Sequence, residues 1–396
     1  MPNDGQRVVI DFDPHSEEFG RDHEAILARL RAEHVFPYSE RYGGFWIAAS
    51  YDAAHAILAD PETFSVAKAP DNTGGLLIPP APDVPGMIPA EVDPPQHTAY
   101  RDALAPAFTK KAVEQLAPLV QEVTTEILDR MVALGDVDFV EDFANLLPGT
   151  TFIRWWGFPK EQVESFRLGT EEAFNIGRVP RGDEDPPDFM WMLKAIIELA
   201  EERRKNPTDD LMSFLVHNPK MTFDEFELVR IGMNLLAGGI KTTAAGLSAT
   251  LINIASDPAL RAKILDDPGL IPQVTDESVR LCSPANSVAR TVTKPATVCG
   301  HALEAGERVM VLYPSANRDE SKFPGSMDLE HRHNHLGYGQ GVHLCLGIWL
   351  AKLQLNIAVE QVMQRIPNFQ IDFERVEPFE VCGVLNGWLS IPGKVS

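Results

Sequence analysis

The sequence lacks several features that mark membrane, secreted or disulfide-rich proteins. It has no run of about eighteen apolar residues, roughly the length that a membrane-spanning helix needs, so we expect no membrane span. Its 396 residues include only four cysteines, none in a CxxC pair, which disfavours a disulfide framework. Its first twenty residues lack the basic and then apolar pattern of a secretory leader. These absences predict a cytoplasmic protein with reduced thiols.

Positive charge is also scarce. The chain has 35 lysines and arginines against 57 aspartates and glutamates, a formal net charge of −22. Nucleic-acid binding needs a positive surface, so we expect no nucleic-acid partner. Hydrophobic residues make up 44% of the chain, enough for a sizeable core. The length is long for one ordinary domain, but no repeat or clean linker divides it, and we predict a single domain over residues 1–396.

Apolar periodicity predicts a mainly α protein with a minor β region. The pattern is mostly helical from about 97 to 270, and a last strong helix is expected at 346–365. Strand-like runs include FWIAAS at 45–50 and two more after residue 285. Breaks in the helical part are expected near Pro148, Pro159 and 180–187.

Proline is concentrated in one segment. Residues 68–96 hold eight prolines and three glycines, with two apolar pairs among them. Structureless segments of this length are usually functional or disordered. We predict a long ordered loop or lid.

The longest helical signal spans 221–258. Thr222 and Glu225 fit a capping box, and Asp257, which precedes a proline, marks the stop. The pattern is apolar nearly all round from 231 to 254, so this helix should run through the interior.

Gly238 and Gly239 interrupt this helix, where each costs about 1 kcal/mol relative to alanine. They indicate either close packing against another helix or the approach of something flat or small to the backbone. The Thr242 hydroxyl, four residues after Gly238, can bond back to the freed carbonyl and open the helix locally. Such a groove could hold a diatomic ligand.

Cys345 lies just ahead of the last helix, where amide N–H groups favour a thiolate. Glycines at 337, 339, 341 and 347 allow close approach of a bulky ligand. A zinc site would use Cys345 with one or more of His331, His333, His335 and His343, but their spacing fits zinc poorly. A Cys–His nucleophile would leave the glycines unexplained. A haem iron held by one axial thiolate uses most of these residues.

The stretch YGQGVHLCLG at 338–347 resembles the haem-binding signature of the cytochrome P450 family, with Tyr338 where the family usually has phenylalanine. Four further matches occur in the family's order along nearly the whole chain. They are HTAYR at 97–101 with its His-x-x-x-Arg pattern, GGIKTT at 238–243 in the oxygen-binding stretch, the Glu-x-x-Arg pair Glu277 and Arg280, and Arg290.

The resemblance implies the cytochrome P450 fold, a triangular helical domain around a buried haem b. It implies a monooxygenase that inserts one oxygen atom from O2 into a substrate, with Cys345 as the iron ligand, Thr242 and Lys241 at the catalytic position, and Glu277 and Arg280 in a structural role. The cofactor contacts that it implies are His97, Arg101, Gly238, Arg290, Tyr338, Gly339, His343, Cys345 and Gly347.

The sequence departs from the family pattern at two places. Lys241 stands where most members have an acid, which admits three interpretations: a natural variant that pairs with a buried carboxylate and relays protons, peroxide-driven or otherwise atypical chemistry, or an engineered chain. The segment before Tyr338 is also about two residues short of the usual length. Either His331 or Arg332 could therefore complete the Glu277–Arg280 network.

The segments that match substrate-facing parts of the family are mostly apolar, with Asn234, Asn286 and Ser287 as sparse polar groups. A small hydrophobic substrate, a terpenoid or an aromatic molecule, suits such a pocket. The substrate contacts that we predict are Met87, Met233, Leu236, Asn286, Val288 and Leu385.

No reductase domain is fused to the matching region, so electrons should come from a ferredoxin and its reductase. A basic patch could orient that acidic donor; its expected members are Arg101, Lys110, Lys111 and Lys352. We expect a monomer. A haem-binding sensor without turnover and a zinc hydrolase remain the rival hypotheses.

Overall fold

The computed structural model describes residues 7–69, 71, 73–80, 85–173, 189–323, 325–331 and 333–395. Its α-helices are α1 (Glu17–Glu33), α2 (Tyr51–Ala59), α3 (Gln96–Phe108), α4 (Lys110–Glu114), α5 (Ala117–Leu134), α6 (Leu146–Trp156), α7 (Val163–Ala173), α8 (Phe189–Lys205), α9 (Leu211–Val216), α10 (Glu225–Gly239), α11 (Lys241–Ser256), α12 (Pro258–Asp266), α13 (Ile271–Cys282), α14 (Tyr313–Ala316) and α15 (Ile348–Arg365). Its strands are β1 (Tyr38–Ser39), β2 (Phe45–Ala48), β3 (Phe64–Ser65), β4 (Asp136–Asp138), β5 (Ser287–Val292), β6 (Ala296–Val298), β7 (His301–Leu303), β8 (Arg308–Leu312), β9 (Gln370–Ile371), β10 (Glu377–Pro378), β11 (Trp388–Ser390) and β12 (Pro392–Lys394). The mainly α character with a minor β region is confirmed. The break expected at 180–187 and Arg332 lie outside the described residues.

The largest sheet has the strand order β1-β2-β8-β5-β3. β2 runs parallel to β8, with Trp46 opposite Val309, and β5 pairs antiparallel to β8. Both faces of the sheet are buried, since Val309 packs in one apolar cluster and Met310 in another. The same alternation along β5 places Val288 and Arg290 on one face.

Two apolar clusters enclose the consecutive helices α10 and α11. One joins α5, α11, α13 and α15, and Leu247 and Val359 within it are fully buried. The other joins α3, α6, α8, α9 and α10 around the buried Trp156. By length and composition Glu225–Ser256 could cross a membrane, but 72% of its most apolar part is buried inside the fold, as in the core helix of a globular protein.

The start of α10 corrects one prediction. The capping box is formed by Asp224 and Glu227: the Glu227 amide donates to Asp224 at 2.7 Å, and the Asp224 amide donates to Glu227 at 3.0 Å. The predicted pair of Thr222 and Glu225 is therefore wrong by two residues. Aspartate is a stronger N-cap than threonine, and the later start leaves Phe223 buried at the helix entry. The predicted stop at Asp257 is confirmed.

Pro148 does not break a helix. It lies in the first turn of α6, where a missing backbone N–H costs little. The interruption comes earlier, at Asn145, where a short π-helix over 140–144 gives way to α6. The break near Pro159 is confirmed, because α6 ends at Trp156 and Gly157 is left-handed.

The proline-rich segment forms the expected loop. Its described residues between β3 and α3 contain no helix or paired strand. Ile78 and Ile88 within it are almost completely buried, so the loop packs onto the body of the protein.

Candidate active site

A cavity of about 300 Å³ lies beside the junction of α10 and α11. This volume lies at the lower end of the range of about 300–1,000 Å³ that ligand pockets occupy. Its lining comes from the proline-rich loop, α3, α10, α11, β5, the segment 337–347 and α15.

One stripe of α10 and α11 forms a wall of this cavity. Asn234, Gly238 and Thr242 follow one another at four-residue spacing and all line the cavity. A Cβ atom on Gly238 would meet no atom within 4 Å, so this glycine opens onto the cavity instead of packing against a helix. The Thr242 hydroxyl donates to the Gly238 carbonyl at 2.6 Å, the bond predicted from sequence. The helix divides at Ile240, which gives a groove with a hydroxyl beside it.

The predicted substrate contacts are only partly brought together. Val288 lines the cavity, but Met233 and Leu236 are 2% exposed and lie in the apolar core behind it. In their place α10 presents Asn234 and Leu235. Asn234 is one of the sparse polar groups that the sequence placed in the substrate-facing segments, and its four-residue spacing from Gly238 and Thr242 puts it on their face of the helix.

Three other predicted contacts are placed elsewhere. Met87 and Leu385 are absent from the described lining of the cavity, and so is Asn286. The Asn286 side chain is fully buried, and neither its amide nitrogen nor its amide oxygen has a hydrogen-bond partner among the described residues. The Ser287 hydroxyl donates to the Gly383 carbonyl at 2.5 Å and is thereby satisfied.

The segment that carries Cys345 wraps another side of the cavity. The Cys345 amide donates to the Tyr338 carbonyl at 2.8 Å and closes a tight loop. Gly339 is left-handed with φ +74°, and a Cβ atom on Gly347 would meet nothing within 4 Å. Cys345, Tyr338 and both glycines line the cavity, so a bulky ligand can approach the backbone here.

The groups around Cys345 act on its thiol in opposite directions. Burial raises the pKa of Cys345, and the Gly347 N–H and the Arg101 guanidinium only partly oppose this effect. α15 begins at Ile348, three residues further on. Burial by itself therefore disfavours the thiolate, and coordination to a metal ion would stabilise it. The thiolate at Cys345 stays a prediction.

Four basic side chains meet at one edge of the cavity. His97 and His343 have ring centroids 4.2 Å apart, and Arg101 and Arg290 line the cavity with them. Both ring nitrogens of His97 and the Nε2 atom of His343 are buried without a hydrogen-bond partner. Burial, His97 and the two arginines lower the pKa of His343 to about 3. The Asp93 carboxylate opposes the lowering of the His97 and Arg290 pKa values but does not outweigh burial. A bound anion with several acceptor oxygens would satisfy the unpaired ring nitrogens.

The residues present fit a haem. The cavity offers one thiol, an open groove with a hydroxyl, glycines that leave space for a flat ring, and unpaired buried donors where two carboxylates would sit. The described residues contain no group of three or more histidines, cysteines or acids placed to hold a metal ion, so a zinc site built from them is not supported.

Glu277 and Arg280 form a buried, two-pronged ion pair with bonds of 2.9 and 2.8 Å. Arg280 also donates to the Asn317 and Ser326 carbonyls, and Glu277 accepts the Asp328 amide at 3.0 Å. The pair therefore ties α13 to the segment that precedes the Cys345 loop. Both side chains are buried, so the pair differs from an exposed ion pair on a helix surface.

His331 reaches this network indirectly. Its side chain is 72% exposed, and its Nδ1 atom lies 3.0 Å from the Asp328 carboxylate. The Nε2 atom of His333 is also 3.0 Å from that carboxylate. Asp328 is thus the link between the two histidines and Glu277.

Lys241 points away from the cavity. It is 8% exposed, does not line the cavity, and donates to the Asn145 side-chain carbonyl at 3.1 Å. The Asn145 amide donates in turn to Glu141 at 3.2 Å. The acceptor of this hydrogen bond is an amide, and the pairing of Lys241 with a buried carboxylate stays a prediction.

The comparisons with known proteins agree with this geometry. The family model described as Cytochrome P450 matches residues 269–381. Nocardicin C N-oxygenase of Nocardia uniformis subsp. tsuyamanensis is 30% identical over 375 residues, which cover 93% of this chain and 91% of that protein. Mycinamicin IV hydroxylase/epoxidase of Micromonospora griseorubida is 30% identical over 353 residues, which cover 85% of this chain and 84% of that protein. The chain belongs to the cytochrome P450 family.

Solved structures give the same fold. A mutant of P450 EryK in complex with erythromycin B superposes with a TM-score of 0.84 at 27% identity, covering 96% of this chain and 98% of that one. This protein is therefore an oxidoreductase of the P450 monooxygenase type. It has the family's haem-iron cofactor, and it acts on a substrate with O2.

Proposed function

We propose that this protein is a haem-thiolate monooxygenase in which Cys345 ligates haem b and one atom of O2 enters a small hydrophobic substrate. The observation that carries the proposal is a single cavity that joins Cys345, the groove at Gly238 and Thr242, and a cluster of unpaired buried donors. When bound, a thiolate-ligated haem supplies the electron density that favours O–O cleavage.

His97, Arg101, Arg290 and His343 would hold the two propionates. Charge-assisted hydrogen bonds from these donors are strong in a dry site. Two carboxylates there would raise the pKa of His343 and His97, both of which burial lowers in the protein alone. Cofactor binding would thus offset the electrostatic cost of burying these basic groups together.

Another part of the cavity lining suits an apolar substrate with one polar group. Leu76, Leu235 and Val288 are apolar, and the Asn234 amide is a polar group on the same wall with no partner among the described contacts. We propose a terpenoid or aromatic substrate with one hydrogen-bonding group directed at Asn234. The relatives with 30% identity are named for dissimilar substrates, so identity alone does not select one.

Thr242 would hydrogen-bond near the reacting oxygen and hold a proton there, because its hydroxyl lies on the groove. Lys241 would act behind it, from its bond to Asn145. A route that does not need proton delivery, driven by peroxide, is the alternative that the position of Lys241 favours, and turnover with hydrogen peroxide in place of electron donors tests it.

Electrons would come from a ferredoxin and its reductase. Lys110 and Lys111 are exposed, but Lys352 pairs with Asp276 at 2.7 Å and Arg101 lines the cavity. Only two of the four predicted patch residues are thus exposed and clear of the site. We propose that they orient the donor in a monomeric, cytoplasmic enzyme.

The experiment is reconstitution of the haem-loaded protein with a surrogate ferredoxin and reductase. Compounds selected by their spin-state shift are then turned over under isotopically labelled dioxygen. One labelled oxygen atom in the product supports the monooxygenase. Binding without any oxidised product would instead favour a haem-binding sensor.

A further inference from the structure

The proline-rich loop is held at its neck by one buried carboxylate. Glu91 is 7% exposed, and its two oxygens accept the amides of Leu76 and Met87, each at 2.9 Å. These two amides are eleven residues apart in sequence. Because one carboxylate bridges the two amides, the two ends of this eleven-residue stretch must lie close together in space.

Gly75 shows how closely this neck is packed. Its φ is +73°, and a Cβ atom there would lie 2.5 Å from the Glu91 Oε1 atom. Any side chain at this position would have to displace the carboxylate. The left-handed backbone also favours glycine.

Two arginines hold the carbonyls of the same loop. Arg308 on β8 donates to the Gly75 and Leu77 carbonyls at 2.9 and 2.8 Å. Arg230 on α10 donates to the Gly86 carbonyl. The Glu91 carboxylate thus accepts hydrogen bonds from loop amides, and the two arginines donate hydrogen bonds to loop carbonyls. Both ends of the loop neck are therefore held by charge-assisted hydrogen bonds.

The neck bears directly on the cavity. Leu76 lines the cavity on one side of the neck, and Pro89 and Ala90 line it on the other. The Glu91 carboxylate bridges these two pieces of wall, because it accepts the Leu76 amide on one side and the Met87 amide on the other. Pro89 and Ala90, the two residues before Glu91 in the chain, are themselves part of that wall.

We propose that Glu91 is a specificity-determining positioning residue, which sets the shape of the substrate cavity by closing the neck of the loop. The inference rests on the proposed function, because it takes the cavity to be the substrate site. Glu91 touches neither substrate nor cofactor. It acts through Leu76, Pro89 and Ala90.

The first test is amide hydrogen exchange in the haem-loaded Glu91→Gln variant, with Glu40→Gln as the matched control at an exposed glutamate. A glutamine side chain has one acceptor oxygen and one NH2 group, so one loop amide loses its partner. We expect Leu76 or Met87 to exchange about tenfold faster or more. The control should leave both unchanged.

Two further variants localise the effect. Arg308→Lys should loosen only residues 75–77, and Arg230→Lys only residues 86–88, because a lysine cannot reproduce the planar fork of donors. Glu91→Asp, which keeps the charge on a shorter side chain, tests the geometry if Glu91→Gln folds poorly. Uniform loosening of the whole protein in all variants would overturn the proposal.

The second readout concerns specificity. For a ligand chosen by its spin-state shift, Glu91→Gln should speed dissociation and alter the ratio of oxidised products, with the thiolate-type spectrum unchanged. Normal dissociation and an unchanged product ratio, despite faster exchange, would refute the role in specificity. Absence of the thiolate-type spectrum from the unaltered, haem-loaded protein would instead refute the proposed function.

Discussion

The buried pair of Glu277 and Arg280 gives a quantitative prediction about stability. Arg280 is fully buried, and both oxygens of the Glu277 carboxylate accept its N–H groups. Glu277→Ala would leave the guanidinium without a counter-charge and the Asp328 amide without its acceptor. Removing one partner of a buried ion pair costs about 3–5 kcal/mol. We expect the free energy of unfolding to fall by that amount.

A matched control is available in an exposed ion pair. Lys194 and Glu198 lie 3.6 Å apart at i,i+4 spacing, with side chains 75% and 63% exposed. Such pairs contribute about 0.3–0.5 kcal/mol. Glu198→Ala should therefore shift the unfolding midpoint by a small fraction of the Glu277→Ala shift.

The assay is guanidinium titration of the haem-loaded variants, followed by tryptophan fluorescence and by loss of the haem band. The slope of the transition should stay constant, so that the midpoints report stability. The double variant Glu277→Leu with Arg280→Met should be less destabilised than Glu277→Ala, because no charge is left buried. Equal midpoints for Glu277→Ala and Glu198→Ala would refute this reasoning.

Four other predictions concern the site. Gly238→Val should weaken dioxygen and substrate binding without unfolding the protein, since the new atoms enter the cavity; unchanged ligand titrations would count against it. Lys241→Asp should change the fraction of reductant that ends in product, and equal coupling in the two forms would remove Lys241 from the mechanism. Asn234→Leu should redistribute products without loss of haem, as chromatography of the products would show. Because the folded pKa of His343 is about 3 against an ordinary value near 6.5, the unfolded chain binds more protons in that window, so haem-free protein should lose stability as pH falls from about 6.5 towards 3; His343→Gln should flatten that dependence in denaturation curves.

Local contacts were the part of the site that sequence could predict. The bond from Thr242 to the Gly238 carbonyl joins residues four apart, and such spacing can be read directly from a helix. The same is true of Glu277 and Arg280 at i,i+3. The start of α10 was misplaced because two overlapping patterns, at 222–225 and at 224–227, both fit a capping box.

Contacts between distant segments could not be predicted in this way. Lys241 and Asn145 are 96 residues apart, and Arg308 and Gly75 are 233 apart. No periodicity links such positions, because they meet only when the sheet and the helices pack. The pKa of Cys345 follows the same rule: the helix N-terminus was visible in the sequence, but the burial that raises the pKa was not.

The central claim is that Cys345 binds haem iron as a thiolate. The absorption spectrum of the reduced, carbon monoxide-bound protein tests it most directly, with Cys345→His as the comparison. The account predicts a red-shifted, thiolate-type Soret band in the unaltered protein and its loss in the variant. A haem-loaded protein without that band, or a variant that keeps it, would contradict the account.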